Sequence, residues 1–274
     1  MTFTLPAELR PLARSHPRIL YGLLMKSAAD ALQKLANDPR YLGARIGALA
    51  VLHTWTRAML FHPHVHMLVT AGGLSADGSA WIDSKHPRFL VPVRALSIIF
   101  RAKFCAGLKK VGLLGGVSPS FWKKNWVVHC QHAGRGEKVL DYLGRYVYRI
   151  AMTNNRLESF DNGQVRFRYR DNQTQQIRHV TLPALEFIGR FLQHVLPRRS
   201  VKVRYYGIWS PSRRRQLDRA RALLSVIPHA TDSPVPLPMA ESVAPLPVPR
   251  RCPLCRNGVL ILVQTLAAQR SHSP

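Results

Sequence analysis

Between Arg18 and Ala36 the apolar residues Leu20, Leu23, Leu24, Ala28, Ala31, Leu32 and Leu35 fall on one stripe at helical spacing. Asn37, Asp38 and Pro39 stop the pattern. The period then changes. Ile46 to Trp55 reads as a strand that pairs with a second one carrying His64-Val65-His66, and the connection 56–63 is short enough for an antiparallel hairpin. Gly72-Gly73 and Asp77-Gly78 mark turns after it. Val93 to Val111 predicts a second helix, Asn125 to Gln131 a strand, and Glu137 to Ile150 a third helix. From Arg156 to Leu182, alternating runs broken at Asp161-Asn162-Gly163 and Asp171-Asn172 predict two or three strands. A helix over Leu185 to Val195 closes at Pro197, a strand follows over Val201 to Trp209, and a last helix over Ser212 to Val226. Residues 1–15, with two prolines, read as a loose lead-in.

This order predicts an α+β fold: a central antiparallel sheet flanked by helices. The expected organisation is a helical lead-in over 1–45 and a main α+β domain over 46–227. A linker follows over 228–251, with seven prolines between Pro228 and Pro249, and then a short tail, 252–274, with one Cys252-Pro-Leu-Cys255. No internal repeat is visible.

Charge narrows the function. The 274 residues carry a formal charge of +26, and that much like charge repels itself unless a polyanion screens it. Nucleic acid is the partner this points to; a membrane surface or plain solvation is the bland alternative. Residues 84–136 contain ten Lys or Arg and no acid, and residues 198–221 contain nine and only Asp218. Solvated helix faces usually mix signs, so single-sign blocks predict phosphate contacts. The candidates are Lys109, Lys110, Lys123 and Lys124 in the first block and Arg213, Arg214 and Arg215 in the second. Trp122, Trp126, Tyr205, Tyr206 and Trp209 lie within the blocks. They suit stacking on unpaired bases, although core packing is the better reading for most of them. No run of eighteen apolar residues and no signal peptide is found, which predicts a cytosolic protein without a membrane span. Four unevenly spaced cysteines do not suggest a disulfide framework, and Cys105 and Cys130 read as buried thiols.

Two stretches carry candidate chemistry. In a strand, His64 and His66 share one face while Val65, Met67 and Val69 face a core. Two imidazoles so placed can hold one cation; a His-rich turn before a buried strand is the plainer reading. On the third helix, Tyr142 and Tyr146 are four apart and share a face, with Arg145 and Arg149 beside them and Tyr148 pointing away. A phenol with a pKa of ~10 is a weak nucleophile at neutral pH. Neighbouring cations and a metal-bound phosphate favour its phenolate. Seen alone, the tyrosine pair is ordinary packing; the conjunction with His-x-His and strong positive charge changes that weighting.

Together these motifs resemble the HUH rolling-circle transposases, in particular the insertion-sequence-91-like group with paired tyrosines. The resemblance is carried by Leu52-His53-Thr54-Trp55 and by His62-Pro63-His64-Val65-His66 with Gly72-Gly73 behind it. It is carried further by Tyr142-Leu-Gly-Arg-Tyr146 running through Arg149 to Arg156-Leu157, and by Phe167-Arg-Tyr169 and Thr181-Leu-Pro183. Glu186-Phe187-Ile188 and the run from His194-Val-Leu-Pro197 to Tyr206-Gly207 complete it, over roughly residues 6–226. The resemblance implies Mg²⁺ or Mn²⁺ held by His64, His66 and a third ligand. It also implies single-stranded DNA as substrate, and attack by Tyr142 or Tyr146 leaving a 5′-phosphotyrosine and a 3′-OH. For the third ligand, a residue one turn beyond the tyrosine is argued against, because Tyr146 stands there. His53 on the neighbouring strand comes first and His62 second.

Members of the family generally begin with a Cys-rich zinc-binding region that this chain lacks, so a truncated copy with weak site recognition is expected. Cys252 and Cys255 supply only half of a four-ligand Zn²⁺ site. A non-catalytic nucleic-acid-binding remnant is therefore the second reading. A carboxylate-triad nuclease is disfavoured, with 14 acids in the chain and none in residues 84–136. Oligomeric state and target sequence are not legible.

Overall fold

A computed structural model describes residues 1–86, 89–134, 139, 143–144, 147, 151–171, 174–226, 250–251 and 259–260. The chain forms two compact units, residues 1–227 and 228–274. The first is α+β, as the periodicity predicts. Its main sheet uses β1 (Thr2–Thr4), β2 (Gly47–Trp55), β3 (Phe61–Val69), β6 (Val128–His129) and β10 (Val203–Gly207). The order is β10-β2-β3-β1-β6, every pair antiparallel, so the strand with the paired histidines is the middle one.

Helices α1 (Arg10–Ser15), α2 (Pro17–Ala36) and α3 (Val93–Lys110) precede and follow the central hairpin. Proline at the first position of α2 lacks only an N–H that the helix would leave unpaired. The far end closes with Asn37 N–H on the Gln33 carbonyl. The buried stripe of α2, including Leu20, Leu24, Ala28, Leu32 and Leu35, joins Ala48, Ala50 and Leu52 of β2 and Val65 and Met67 of β3 in one core. Phe3 enters it from β1, edge-on to Phe100 of α3 at 5.1 Å. Both rings are 0 % exposed, and burying a side chain of that size is worth roughly 2–3 kcal/mol. Helix α2 also carries a glycine in its interior, Gly22, which costs about 1 kcal/mol relative to alanine. A Cβ built there would meet nothing within 4 Å.

Several expectations are corrected. Residues 1–15 are not a loose lead-in. Thr2–Thr4 pairs with β3 on one side and β6 on the other, and Leu5, Leu9 and Ala13 are fully buried. A three-residue strand carries no local periodicity, so only its partners make it a strand. Gly72 and Gly73 belong to β4 (Gly72–Leu74), which pairs with β5 (Trp81–Asp83) around the Asp77-Gly78 turn. The strand expected over 125–131 shortens to two residues. Trp126 is instead core, ringed by Phe100, Phe104 and Phe121, and Trp122 stacks on it. Cys105 and Cys130 are free thiols but only half-buried.

A separate antiparallel meander, β7 (Leu157–Asp161), β8 (Gln164–Arg170) and β9 (Ile177–Pro183), leads into α4 (Ala184–Leu192). Its apolar side gathers Phe167 and Leu182 around Met59, from the β2–β3 turn, and Met152. Arg57 of that turn donates to the Arg170 carbonyl at 2.9 Å. After β10, helix α5 (Arg214–Val226) packs Ala220 against Leu74 and Ile208. In the second unit, β11 (Arg250–Arg251) pairs antiparallel with β12 (Val259–Leu260). The expected 137–150 helix lies almost wholly outside the described residues, within which Val139, Leu143, Gly144 and Val147 are helical. No described helix is long and apolar enough to cross a membrane.

Candidate metal centre

Strand alternation builds the site. Along β3, Phe61, Val65 and Met67 are buried in the helix-covered core while His62, His64 and His66 line the other face, half-buried. In β2, His53 lies directly across from His64, and Val51 across from His66. Directly opposed residues of antiparallel strands share a face at close range. The ring of His53, 2 % exposed, therefore stands 5.4 Å from that of His64 and 4.9 Å from that of His66. His64 and His66 are 4.9 Å apart. One ring nitrogen from each lies within 4.8 Å of those of the other two, so the three can hold a metal ion.

Hydrogen bonds orient the rings. The Nδ1–H of His64 donates to the His62 carbonyl at 2.7 Å. In a neutral imidazole this puts the lone pair on Nε2, the form a metal binds. Thr2 places its Oγ1 3.2 Å from His66 Nδ1, because β1 pairs Thr2 with His66. Trp55 stacks on His53 at 4.9 Å, and the Lys202 ammonium sits over the Trp55 ring at 5.5 Å. Lys202 also donates to the Val147 carbonyl at 3.2 Å. Beside the cluster, His194 faces Trp55 at 5.9 Å, and burial holds its pKa below the usual value.

His62 shares the face but lies outside the cluster. Arg10 of α1 reaches its Nδ1 at 2.7 Å. A guanidinium only donates, so Nδ1 accepts and Nε2 carries the proton. Neither nitrogen is then available to a metal. Burial first, then His64 and Arg10, pushes the His62 pKa down to about 4.

The other expected site residues are spread more widely. Lys109 and Lys110 end α3, in the helix layer over the opposite face of the sheet. Lys124 pairs with Glu8 at 2.6 Å, while Lys123 is exposed. Arg213, Arg214 and Arg215 are exposed at the start of α5, where cations oppose the helix dipole and an anion would relieve them. Tyr142, Tyr146, Arg145, Arg149, Tyr148, Cys252 and Cys255 lie outside the described residues. Thr2, Arg10 and Trp55 were missed as site residues. No local signal marks Thr2 or Arg10, whereas Trp55 follows His53 at the same-face interval of two.

The sequence that builds these strands matches a known group. Residues 47–216 match the family model Y2_Tnp, described as "Putative transposase". The chain belongs to this transposase family. It is 38% identical over 289 residues to "Putative transposase y4qJ" of Sinorhizobium fredii, an alignment covering 96% of this chain and 72% of that protein. It is 30% identical over 274 residues to the "Transposase for insertion sequence element IS801" of Pseudomonas savastanoi pv. phaseolicola, covering 93% of this chain and 65% of that one. No solved structure matches. The resemblance drawn from the motifs is thus the family the chain falls in.

Proposed function

We propose that this Y2 transposase cuts and rejoins single-stranded DNA through a 5′-phosphotyrosine. The observation that carries the reading is the His53, His64 and His66 triad, with His64 oriented by a backbone carbonyl. A cation there would lie where two strands of the central hairpin meet. The donor set fits a metal: three imidazole nitrogens, with no carboxylate in the cluster among the described residues. All-imidazole sites favour ions softer than Mg²⁺, so Mn²⁺ is the better candidate of the two. When bound, such an ion supplies Lewis-acid polarisation of a phosphate oxygen.

The chain's own groups do the rest. The phenolate oxygen of Tyr142 or Tyr146 attacks phosphorus, the P–O3′ bond breaks, and the 3′ oxygen leaves as a hydroxyl after taking a proton. One phosphodiester replaces another, so the DNA 3′-OH can later reverse the step on the same or another 5′ end. Support for the tyrosine segment comes from Val147, the residue after Tyr146. Its carbonyl is held by Lys202, which rests on Trp55, which stacks on His53. Exposed Arg213 to Arg215 and Lys123 supply phosphate contacts.

The test is a denaturing gel with Mn²⁺ and a 3′-labelled single-stranded oligonucleotide, whose label stays with the 5′-phosphotyrosine. Tyr142→Phe or Tyr146→Phe alone should leave some adduct, and the double change none. His64→Ala should abolish the adduct while leaving most binding. An adduct surviving the double tyrosine change, or no adduct from the unaltered chain, refutes the reading.

A further inference from the structure

Helix α4 turns little of its apolar surface inward. Phe187 packs on the meander, its ring 5.8 Å from that of Phe167. The longer apolar stripe runs along another face, through Leu185, Ile188, Phe191 and Leu192, and Val195 continues it in the closing turn. Leu185 is 84 % exposed, Ile188 48 %, Phe191 43 %, Leu192 59 % and Val195 63 %. The helix cannot roll to bury them, because both ends are tied. At its start the Ala184 N–H donates to the Gly163 carbonyl at 2.8 Å. Just past its end, buried His194 places Nε2 3.4 Å from the Met59 carbonyl.

We propose that this stripe is a self-association surface, on which α4 of a second copy packs antiparallel about a two-fold axis passing between Ile188 and Gly189. Area is the first argument. An aromatic side chain covers about 150–250 Å² and a branched aliphatic one somewhat less, so these fractions leave on the order of 500 Å² uncovered per copy. Two copies then bury about 1,000 Å², the size at which specific interfaces begin. Charge is the second argument. A chain of formal charge +26 repels its own copies over most of its surface. The stripe carries no charge, and the one acid and one base of α4, Glu186 and Arg190, pair with each other at 2.6 Å on the far side of the helix. The third argument is Gly189, a poor helix former inside a nine-residue helix. It is exposed, and a Cβ there would meet nothing within 4 Å among the described residues, so the chain's own packing does not require glycine. In the antiparallel pair Ile188 of each copy lies over Gly189 of the other, and Leu185 meets Leu192. Leu185, Ile188, Gly189 and Leu192 have the spacing of a hole that accepts one knob from a facing helix. The surface is thus complementary to itself, as a two-fold interface has to be.

This inference does not rest on the function proposed above. The test is sedimentation velocity on the full chain, freed of nucleic acid by nuclease and high salt. A monomer–dimer equilibrium should appear, with a dissociation constant on the order of 10 µM for an interface of this size. Salt should tighten it, because the screening length falls from about 10 Å at 0.1 M to about 3 Å at 1 M while the apolar contact persists. Leu185→Glu and Ile188→Glu should each raise the dissociation constant about tenfold or more, since a two-fold axis applies every substitution twice. Both positions are exposed, so thermal melts should show the variants folded. Ile188→Lys should also be monomeric alone, and mixing it with Ile188→Glu should restore the dimer, because position 188 of one copy lies beside 188 of the other. His64→Ala should dimerise like the unaltered chain, which separates this surface from the metal centre. A monomer at all salt concentrations, open-ended oligomers, an unchanged constant in both glutamate variants, or no recovery in the mixture overturns the proposal.

Discussion

Removing one imidazole at a time from the β2–β3 hairpin should sort ligands from bystanders by their effect on metal-induced stabilisation. A metal at 100 times its dissociation constant stabilises the fold by about 2.7 kcal/mol. For a unit of this size each kcal/mol moves the melting temperature by about 2–4 °C, so Mn²⁺ should raise it by roughly 5–10 °C. The increment is read within each variant, with and without Mn²⁺, so any loss of packing cancels. His53→Ala, His64→Ala and His66→Ala should each remove it, because their nitrogens converge within 4.8 Å. His62→Ala should retain most of it, since Arg10 already holds its Nδ1. The hydrogen bond that orients His64 ends on the His62 backbone carbonyl, which any substitution keeps; what is lost is the ring contact at 5.3 Å. Thr2→Val should be intermediate. Losing a partner that orients a ligand costs about 10–100-fold in metal affinity. At the same Mn²⁺ concentration the stabilisation would then fall to about 0.4–1.4 kcal/mol. Differential scanning fluorimetry suffices to measure this. If His62→Ala abolishes the increment and His53→Ala keeps it, the assignment is wrong.

Stability of the metal-free chain should rise with pH between about 4 and 6.5, because His62 is held at about 4 and His194 below its usual value by burial. Both bind protons more readily when unfolded, so their contribution is whole above the unfolded pKa of ~6.5 and is lost as pH falls through the folded value. Urea denaturation at pH 7 and pH 5 should show the loss, and His62→Gln with His194→Gln should flatten it; a slope unaltered by that pair would count against the cause given. Gly207→Ala should destabilise by roughly 1–3 kcal/mol or more, since φ there is 62° and a Cβ would run into the Ile46 carbonyl. Gly112→Ala, at φ 74° with nothing within 4 Å, should cost only the conformational part, about 1–2 kcal/mol. Equal midpoints for the two variants in urea would show that the carbonyl contact does not matter.

What the sequence determined by itself was local and periodic. The apolar stripe of α2, the hairpin of β2 and β3, the face shared by His64 and His66, and the meander after Arg156 all follow from side-chain spacing within one element. Spacing is set by backbone geometry and needs no partner. The choice of His53 over His62 was open in the sequence, since both are near the motif. Tertiary structure separates the two, because register puts His53 across from His64 in a cluster that could hold an ion, while α1 brings Arg10 onto His62. The same holds for Thr2, whose strand exists only between β3 and β6, and for Trp126, where packing rather than base stacking, the reading preferred for most of these aromatics, is what the fold shows. The stack of Lys202 on Trp55, beside His53, had no sequence signal at all. Its members come from β2 and the segment before β10, far apart in the chain. Proximity of that kind is created by packing, and no period along a single element encodes it.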